Sequence, residues 1–272
     1  MIAVKHSIVL WLLLTLGSAT TAFSADYRKV FGTDWEQAVD FVVDHHEAWA
    51  EEFRRFGVDS KVAEAVVFPE LIRYSKWQDE IEQAAVNGLY VTKGSGGANF
   101  SVGRFQMKPS FAEEVERAWN ASPLAQEYGF SFLLSDTREA RRARVRRLGN
   151  EQGQCRYLAI FIRLQQMRLP QLQHVSAEQQ VRLLATAYNY QFAASWPTLN
   201  RMQHQRRFHT DMIRTRNTRM FCYADIAASF FNGSNTEIKF GALLTFVSNI
   251  ADLRQQRCRP RSAMQRFGPE RG

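Results

Sequence analysis

A chain of 272 residues, 45% hydrophobic and 23% charged, can bury one full core or at most two, and is too apolar in composition to be a disordered protein. Its net charge of +8 favours polyanionic partners such as a cell wall or a membrane surface. The cysteines Cys155, Cys222 and Cys258 show no Cys-x-x-Cys or Cys/His spacing, so nothing in the sequence suggests a zinc site.

The first segment carries Lys5, the apolar run Ile8–Leu16 and small residues up to Ala22-Phe23-Ser24, which together read as a secretory signal peptide over 1–24. The run is far short of the roughly 20 residues that a membrane-crossing helix needs. An uncleaved anchor is the alternative. No cysteine stands near the cleavage site, so a lipid-modified terminus is not expected. The mature protein is expected to be exported, periplasmic or extracellular. An oxidising compartment permits one disulfide and one leftover thiol. Cys155 and Cys222 both lie in apolar stretches and are conceivable partners, but the sequence leaves the pairing open.

Beyond the signal, nearly every segment has a helical period. TDWEQAVDFVVDHHEAWAEEFRRFG (33–57) has Thr33 and Glu36 at capping-box spacing and Gly57 as its stop. Trp35, Val39, Val42 or Val43, Trp49 and Phe53 share an apolar face. His45 and His46 project about 100° apart on a helix, which suits half-buried or solvated histidines better than one metal. Asp59 or Ser60 caps KVAEAVVFPELIRYS, in which Pro69 should kink the helix or end a turn. Residues 76–99 are polar and then glycine-rich, and LYVT (89–92) reads as a short strand.

Helices are expected again at about 109–119, through the arginine block TREARRARVRR (137–147), and over QCRYLAIFIRLQQMRL, ending before Pro170. Ser176 and Gln179 form another capping-box spacing, ahead of VRLLATAYNY. Two apolar segments follow, CYADIAASFF and EIKFGALLTFVSNIADL, and then a basic tail. No repeat or linker divides the chain. The expectation is a mainly α single domain over 25–253 with at most a short β element, followed by a disordered tail over 254–272. The arginine block and tail suit contact with a wall or membrane surface; the alternative is a solvated helix face plus the tail. Nucleic acid is not expected as a partner: it fits the compartment poorly, and the interleaved basic and aromatic residues of single-strand binders are missing.

Glu70 is the carboxylate that stands out, because it follows Val66, Val67, Phe68 and Pro69. Apolar surroundings disfavour a charged carboxyl and keep its proton available near neutral pH, as general acid catalysis at a glycosidic oxygen requires. The alternative is a glutamate satisfied by backbone N–H groups. After the glycine-rich run 94–97 comes Ser101-x-Gly103-x-x-Gln106-Met107-x-Pro109, a loop running into a helix that calls for close backbone approach and a side-chain amide. Ala187-Tyr188-Asn189 ends a strongly capped apolar helix, where Asn189 can serve as a polar group or simply as a C-cap.

In this order, Glu70, then Ser101, Gly103, Gln106, Met107 and Pro109, then Ala187-Tyr188-Asn189, the chain resembles the lytic transglycosylase family of the lysozyme superfamily, which includes goose-type lysozyme-like proteins. The resemblance covers residues 59–192. It implies a lysozyme-like fold and cleavage of peptidoglycan glycan strands between N-acetylmuramic acid and N-acetylglucosamine, with Glu70 as acid and then base. It implies no cofactor and no metal. Ser101, Gly103, Gln106, Met107, Tyr188 and Asn189 would bind substrate: Gly103 by letting the chain pass close to a sugar, Gln106 and Met107 by lining the cleft, Asn189 by holding an acetamido group, and Tyr188 by hydrogen bonding near Glu70. Trp77, Tyr90, Phe100, Phe105 and Trp196 could stack on sugar rings or belong to the core.

Two features depart from the family pattern. Leu71 follows Glu70 where a serine is usual, and a long insertion brings Asp79, Glu80 and Glu82 into the neighbourhood, which leaves lysozyme-type hydrolysis open. Tyr190 replaces a small residue after Asn189 and could narrow the cleft. A non-catalytic wall-binding or assembly factor on the same fold is the second reading.

Overall fold

The computed structural model describes residues 26–74, 88–211 and 214–233. The signal peptide, Trp77, Asp79, Glu80, Glu82, the segment EIKFGALLTFVSNIADL, Cys258 and the basic tail lie outside the described residues.

Asp26 caps a short helix, α1 (Tyr27–Phe31), by accepting from the Lys29 amide. The chain passes directly into α2 (Thr33–Arg55) through Gly32, which sits at φ 52°. Because α2 is entered from another helix, Thr33 is already helical and the Thr33–Glu36 capping box expected from the sequence does not form; Gly32 is the cap and offers no side chain. The other end of α2 behaves as its sequence suggests. Gly57 takes φ 64° and donates to the Arg54 carbonyl at 3.0 Å, while Val58 donates to Phe53 at 3.0 Å, the paired bonds of a Schellman stop.

Asp59 then caps α3 (Ser60–Tyr74), accepting from the Lys61 amide at 2.9 Å. Every residue from Val62 to Ile72 is buried, the pattern of a helix enclosed on all sides. Pro69 does not end it. Lacking an N–H, Pro69 deprives the Ala65 carbonyl of its usual donor, and the helix continues one further turn. α3 packs against α2 and against the later helices α8 (Glu151–Arg168) and α9 (Ala177–Asn189).

Residues 88–93 form a helical turn, α4, not the strand read from LYVT. Its fixing contacts are distant: the Tyr90 hydroxyl donates to Glu113 at 2.8 Å and accepts from Arg144. Gly94 closes the turn at φ 73°, donating to the Tyr90 carbonyl at 2.7 Å. α5 (Pro109–Asn120), α6 (Pro123–Glu127) and α7 (Arg138–Leu148) follow, and α7 confirms the helix through the arginine block. That helix is not merely a solvated face. Arg144 is buried, and with Arg147 and the Tyr157 hydroxyl it surrounds the fully buried Glu116 of α5.

α8 ends at Arg168 ahead of a 3-10 turn, Pro170–His174, and Ser176 caps α9 by accepting from the Gln179 amide at 3.2 Å. α10 (Trp196–Met202) leads into a two-stranded antiparallel sheet, β1 (Arg206–Phe208) and β2 (Phe221–Cys222), with Arg206 opposite Cys222 and Phe208 opposite Phe221. A last described helix, α11, covers 223–233. Its Phe230 stacks on Phe68 of α3 at 3.9 Å between centroids, and Trp35 meets the same ring edge-on at 4.7 Å. The described residues are thus mainly helical, and their core cluster runs from Tyr27 to Phe230.

Cys155 and Cys222 are both buried and free, so the pair conceivable from sequence does not form. Cys155 lies within α8, whereas the Cys222 thiol on β2 donates to the Gln203 carbonyl at 2.9 Å. No helix among the described residues is long and apolar enough to cross a membrane.

Candidate active site

Two buried carboxylates project from α3, and their surroundings differ. Glu64 accepts from or donates to His46 Nδ1 at 2.7 Å, so it has a close polar partner. Burial lifts its pKa, and His46 opposes the shift. His45 bonds instead to the Phe41 carbonyl at 2.8 Å, and the two histidines serve separate contacts.

Glu70 lies instead beside Arg73 and the Tyr223 hydroxyl. Its side chain is 5% exposed, and Oε2 is buried with no hydrogen bond. Arg73, one turn further along α3, brings Nη1 to 3.5 Å of that oxygen. Loss of solvation pushes the Glu70 carboxyl up to about 7, with the charge of Arg73, the more distant Lys108 and the neighbouring Tyr223 hydroxyl pulling the other way. Desolvation wins. The apolar run before Glu70 signalled this outcome, and the alternative of a glutamate satisfied by backbone amides does not describe Oε2.

Tyr223 and Tyr188 complete the immediate surroundings. The Tyr223 hydroxyl donates to the Val66 carbonyl at 3.1 Å, in the stretch of α3 that Pro69 disturbs. Its pKa is held well above the ordinary tyrosine value, first by burial and then by the Glu70 charge. Tyr188 shows the same direction for the same two causes, and its hydroxyl donates to the Phe105 carbonyl at 2.6 Å. The end of α9 is thereby tied to the loop 101–107.

That loop is a tight hairpin-like turn. Val102 and Met107 exchange backbone bonds of 2.8 and 3.1 Å. Gly103 adopts φ 69°, and a Cβ placed there would lie 2.0 Å from Gln154 Nε2 and 2.8 Å from the Leu148 carbonyl. The close approach that the sequence called for is therefore to the protein's own α7–α8 corner. Gln154 in turn accepts from the Phe105 amide at 2.7 Å. Gln106 has φ 51°, the one positive value at a non-glycine among the described residues, which costs roughly 1–2 kcal/mol. Its amide donates back to the Gly103 carbonyl at 3.1 Å. Met107 is buried, Gln106 nearly so, and Ser101 half-buried.

Three contacts hold the loop against the Glu70 helix and its neighbour. Phe105 meets Trp49 edge-on at 5.0 Å. The Arg104 guanidinium lies over both Phe41 and Tyr74, at 4.5 and 4.4 Å. Pro109 then starts α5, where the Asn99 side chain accepts from the Ser110 amide at 3.0 Å. Phe105 and Tyr90 are core residues; Phe100 is 50% exposed and Trp196 half-buried.

Asn189 is the exposed last residue of α9. It lines a cavity of about 370 Å³ together with Tyr190, Gln205, Arg207 and Tyr223. Tyr223 is thus shared between the surroundings of Glu70 and the cavity wall. Tyr190, 44% exposed, is part of that wall, so the bulky residue after Asn189 does shape the space. Sequence reading missed two residues. Arg73 was legible as a cation three residues after Glu70 on the same helix face. Tyr223 carried no local signal, being one polar hydroxyl at the start of an apolar segment.

Among the described residues no cluster of histidine, cysteine, aspartate and glutamate could hold a metal ion. Comparison of the chain with protein-family models, with curated proteins and with solved structures returns no match.

Proposed function

We propose that the chain is a peptidoglycan-cleaving glycosidase of lytic transglycosylase type, on a lysozyme-like helical fold, acting through Glu70. The observation that carries this reading is the buried Glu70 carboxyl, held at about 7, with one oxygen lacking a hydrogen bond and two tyrosines beside it. Such a group is partly protonated at neutral pH, as a general acid requires.

In the proposed reaction, protonated Glu70 gives its proton to the glycosidic oxygen between N-acetylmuramic acid and N-acetylglucosamine, and the bond from that oxygen to the muramoyl anomeric carbon breaks. The Glu70 carboxylate left behind is favoured by Arg73 and Tyr223. It then takes the proton from the muramoyl 6-hydroxyl as that oxygen closes on the anomeric carbon, giving a 1,6-anhydro ring and restoring the acid. No water is consumed, and no metal or cofactor is called for. Asn189 would hold an acetamido group, while Ser101, Gly103, Gln106, Met107 and Tyr188 would shape and fix the loop beside the sugar. Hydrolysis by a water in place of the 6-hydroxyl is the variant outcome.

The second reading, a non-catalytic wall-binding or assembly factor, draws on Arg73: its cation 3.5 Å from Glu70 favours a carboxylate that keeps its charge. Incubating purified peptidoglycan with the protein and with Glu70→Gln separates the two. Soluble fragments released by the first protein alone support the glycosidase. Release by neither, while both sediment with the wall, supports the binding factor.

A further inference from the structure

The cavity beside Tyr223 carries a charge that the chemistry at Glu70 does not use. Its one cationic wall residue among those described is Arg207, and no described aspartate or glutamate lines it. The Arg207 guanidinium lies over the Tyr190 ring, 5.8 Å from the centroid, and has no carboxylate partner among the described residues. Nearby arginines differ. Arg182 is held by Asp225 at 2.6 Å, and Arg73 faces Glu70. Asp225, the acid close to this wall in sequence, is thereby already engaged.

A guanidinium within cation–π reach of an aromatic ring keeps its N–H donors available, an arrangement suited to a carboxylate. The rest of the wall is uncharged and mixed, with Thr186, Asn189 and Gln205 among its polar residues and Met202 and Ala224 among its apolar ones. The Gln203 amide is engaged with Gln179 and Asn200, so it serves as structure, whereas Asn189 and Gln205 are exposed amide residues of the cavity wall. Amides pair with the acetamido and hydroxyl groups of an amino sugar. A cation adds something that a neutral sugar does not need.

We infer that this cavity is a subsite for an amino sugar bearing a free carboxylate, with Arg207, supported by Tyr190, as the residue that recognises the carboxylate. The identity of the ligand rests on the glycosidase reading above; the charge selection rests on the cavity wall. Tyr190 then has a role of its own, as the platform that orients Arg207. The carboxylate has two sources in peptidoglycan: the lactyl group of a muramoyl residue without a stem peptide, or the stem peptide itself.

Calorimetric titration of the full chain tests this with two ligand pairs. One pair is the N-acetylglucosaminyl-N-acetylmuramic acid disaccharide and its carboxamide. The other is a disaccharide-peptide with free stem carboxylates and its fully amidated form. In at least one pair the acid should bind about tenfold tighter than the amide, the scale of a charge-assisted pair. The first pair showing it assigns the lactyl group, the second the stem. Arg207→Gln should abolish the preference and leave the amide affinity within about twofold. Tyr190→Phe should keep the preference, and Tyr190→Ala should reduce it. Both positions are exposed, and thermal melting checks that the variants fold. The inference is overturned if acid and amide bind alike in both pairs, if Arg207→Gln weakens both forms equally, or if no ligand binds. Should any of these occur while peptidoglycan is still cleaved through Glu70, the charge selection alone is lost; if cleavage is also missing, the glycosidase reading goes with it.

Discussion

Arg73 Nη1 stands 3.5 Å from Glu70 Oε2, one turn along the same helix, yet Oε2 makes no hydrogen bond. The cation moderates the cost of a buried carboxylate by an ion pair that lacks a hydrogen bond to Oε2. Arg73 is itself braced, its guanidinium lying over the Phe208 ring at 5.3 Å. Replacing Arg73 by Met removes the charge that favours ionised Glu70, so the carboxyl pKa should rise. Activity of a general acid falls as pH climbs through its pKa. The alkaline limb of the pH–rate profile should therefore move up by roughly one pH unit in Arg73→Met.

The same carboxyl should reduce stability at neutral pH. Its folded pKa of about 7 exceeds the reference 4.5, so the folded state holds the proton more tightly than the unfolded chain. Stability is then fully present below about 4.5 and is lost as pH rises to about 7. A gap of this size corresponds to about 3 kcal/mol at most. Glu70→Gln removes the titration and should be more stable than the unaltered protein at pH 8, by about 1–3 kcal/mol, with little difference at pH 4.5. Urea unfolding at the two pH values checks the sign.

Gly103 should tolerate no side chain. In Gly103→Ala the new Cβ meets Gln154 and the Leu148 carbonyl at φ 69°, and relief by moving Gln154 breaks its bond to the Phe105 amide. The expected loss is about 2–4 kcal/mol in urea unfolding.

Tyr223→Phe removes one hydroxyl from the Val66 carbonyl and from beside Glu70. Stability should fall by about 1 kcal/mol. If the hydroxyl favours the carboxylate formed after proton transfer, kcat should drop roughly tenfold to hundredfold with KM little changed. An unaltered kcat would leave Tyr223 with a purely structural role.

Features set by a few neighbouring residues were legible in the sequence. Gly57, Asp59, Ser176 and the stop before Pro170 act within one helical turn, and the apolar approach to Glu70 announced its desolvation. Features set across the fold were not. LYVT has strand-like composition, but Tyr90 is fixed by Glu113 and Arg144, which hold it in a helical turn. Thr33 looked like a cap because nothing local revealed that α1 runs straight into α2. The need for glycine at position 103 was visible, but its cause, Gln154 and Leu148, lies far along the chain. Tyr223 reaches Val66 across most of the described sequence, so no window containing Glu70 could include it.

Mass analysis of the fragments released from purified peptidoglycan by the protein and by Glu70→Gln bears most directly on the role of Glu70. Muropeptides ending in 1,6-anhydro-muramic acid should appear with the unaltered protein and vanish with Glu70→Gln, even though the variant is folded and at least as stable at neutral pH. Reducing-end fragments would keep Glu70 but make the enzyme a hydrolase, and undiminished release by Glu70→Gln would contradict its role as the acid.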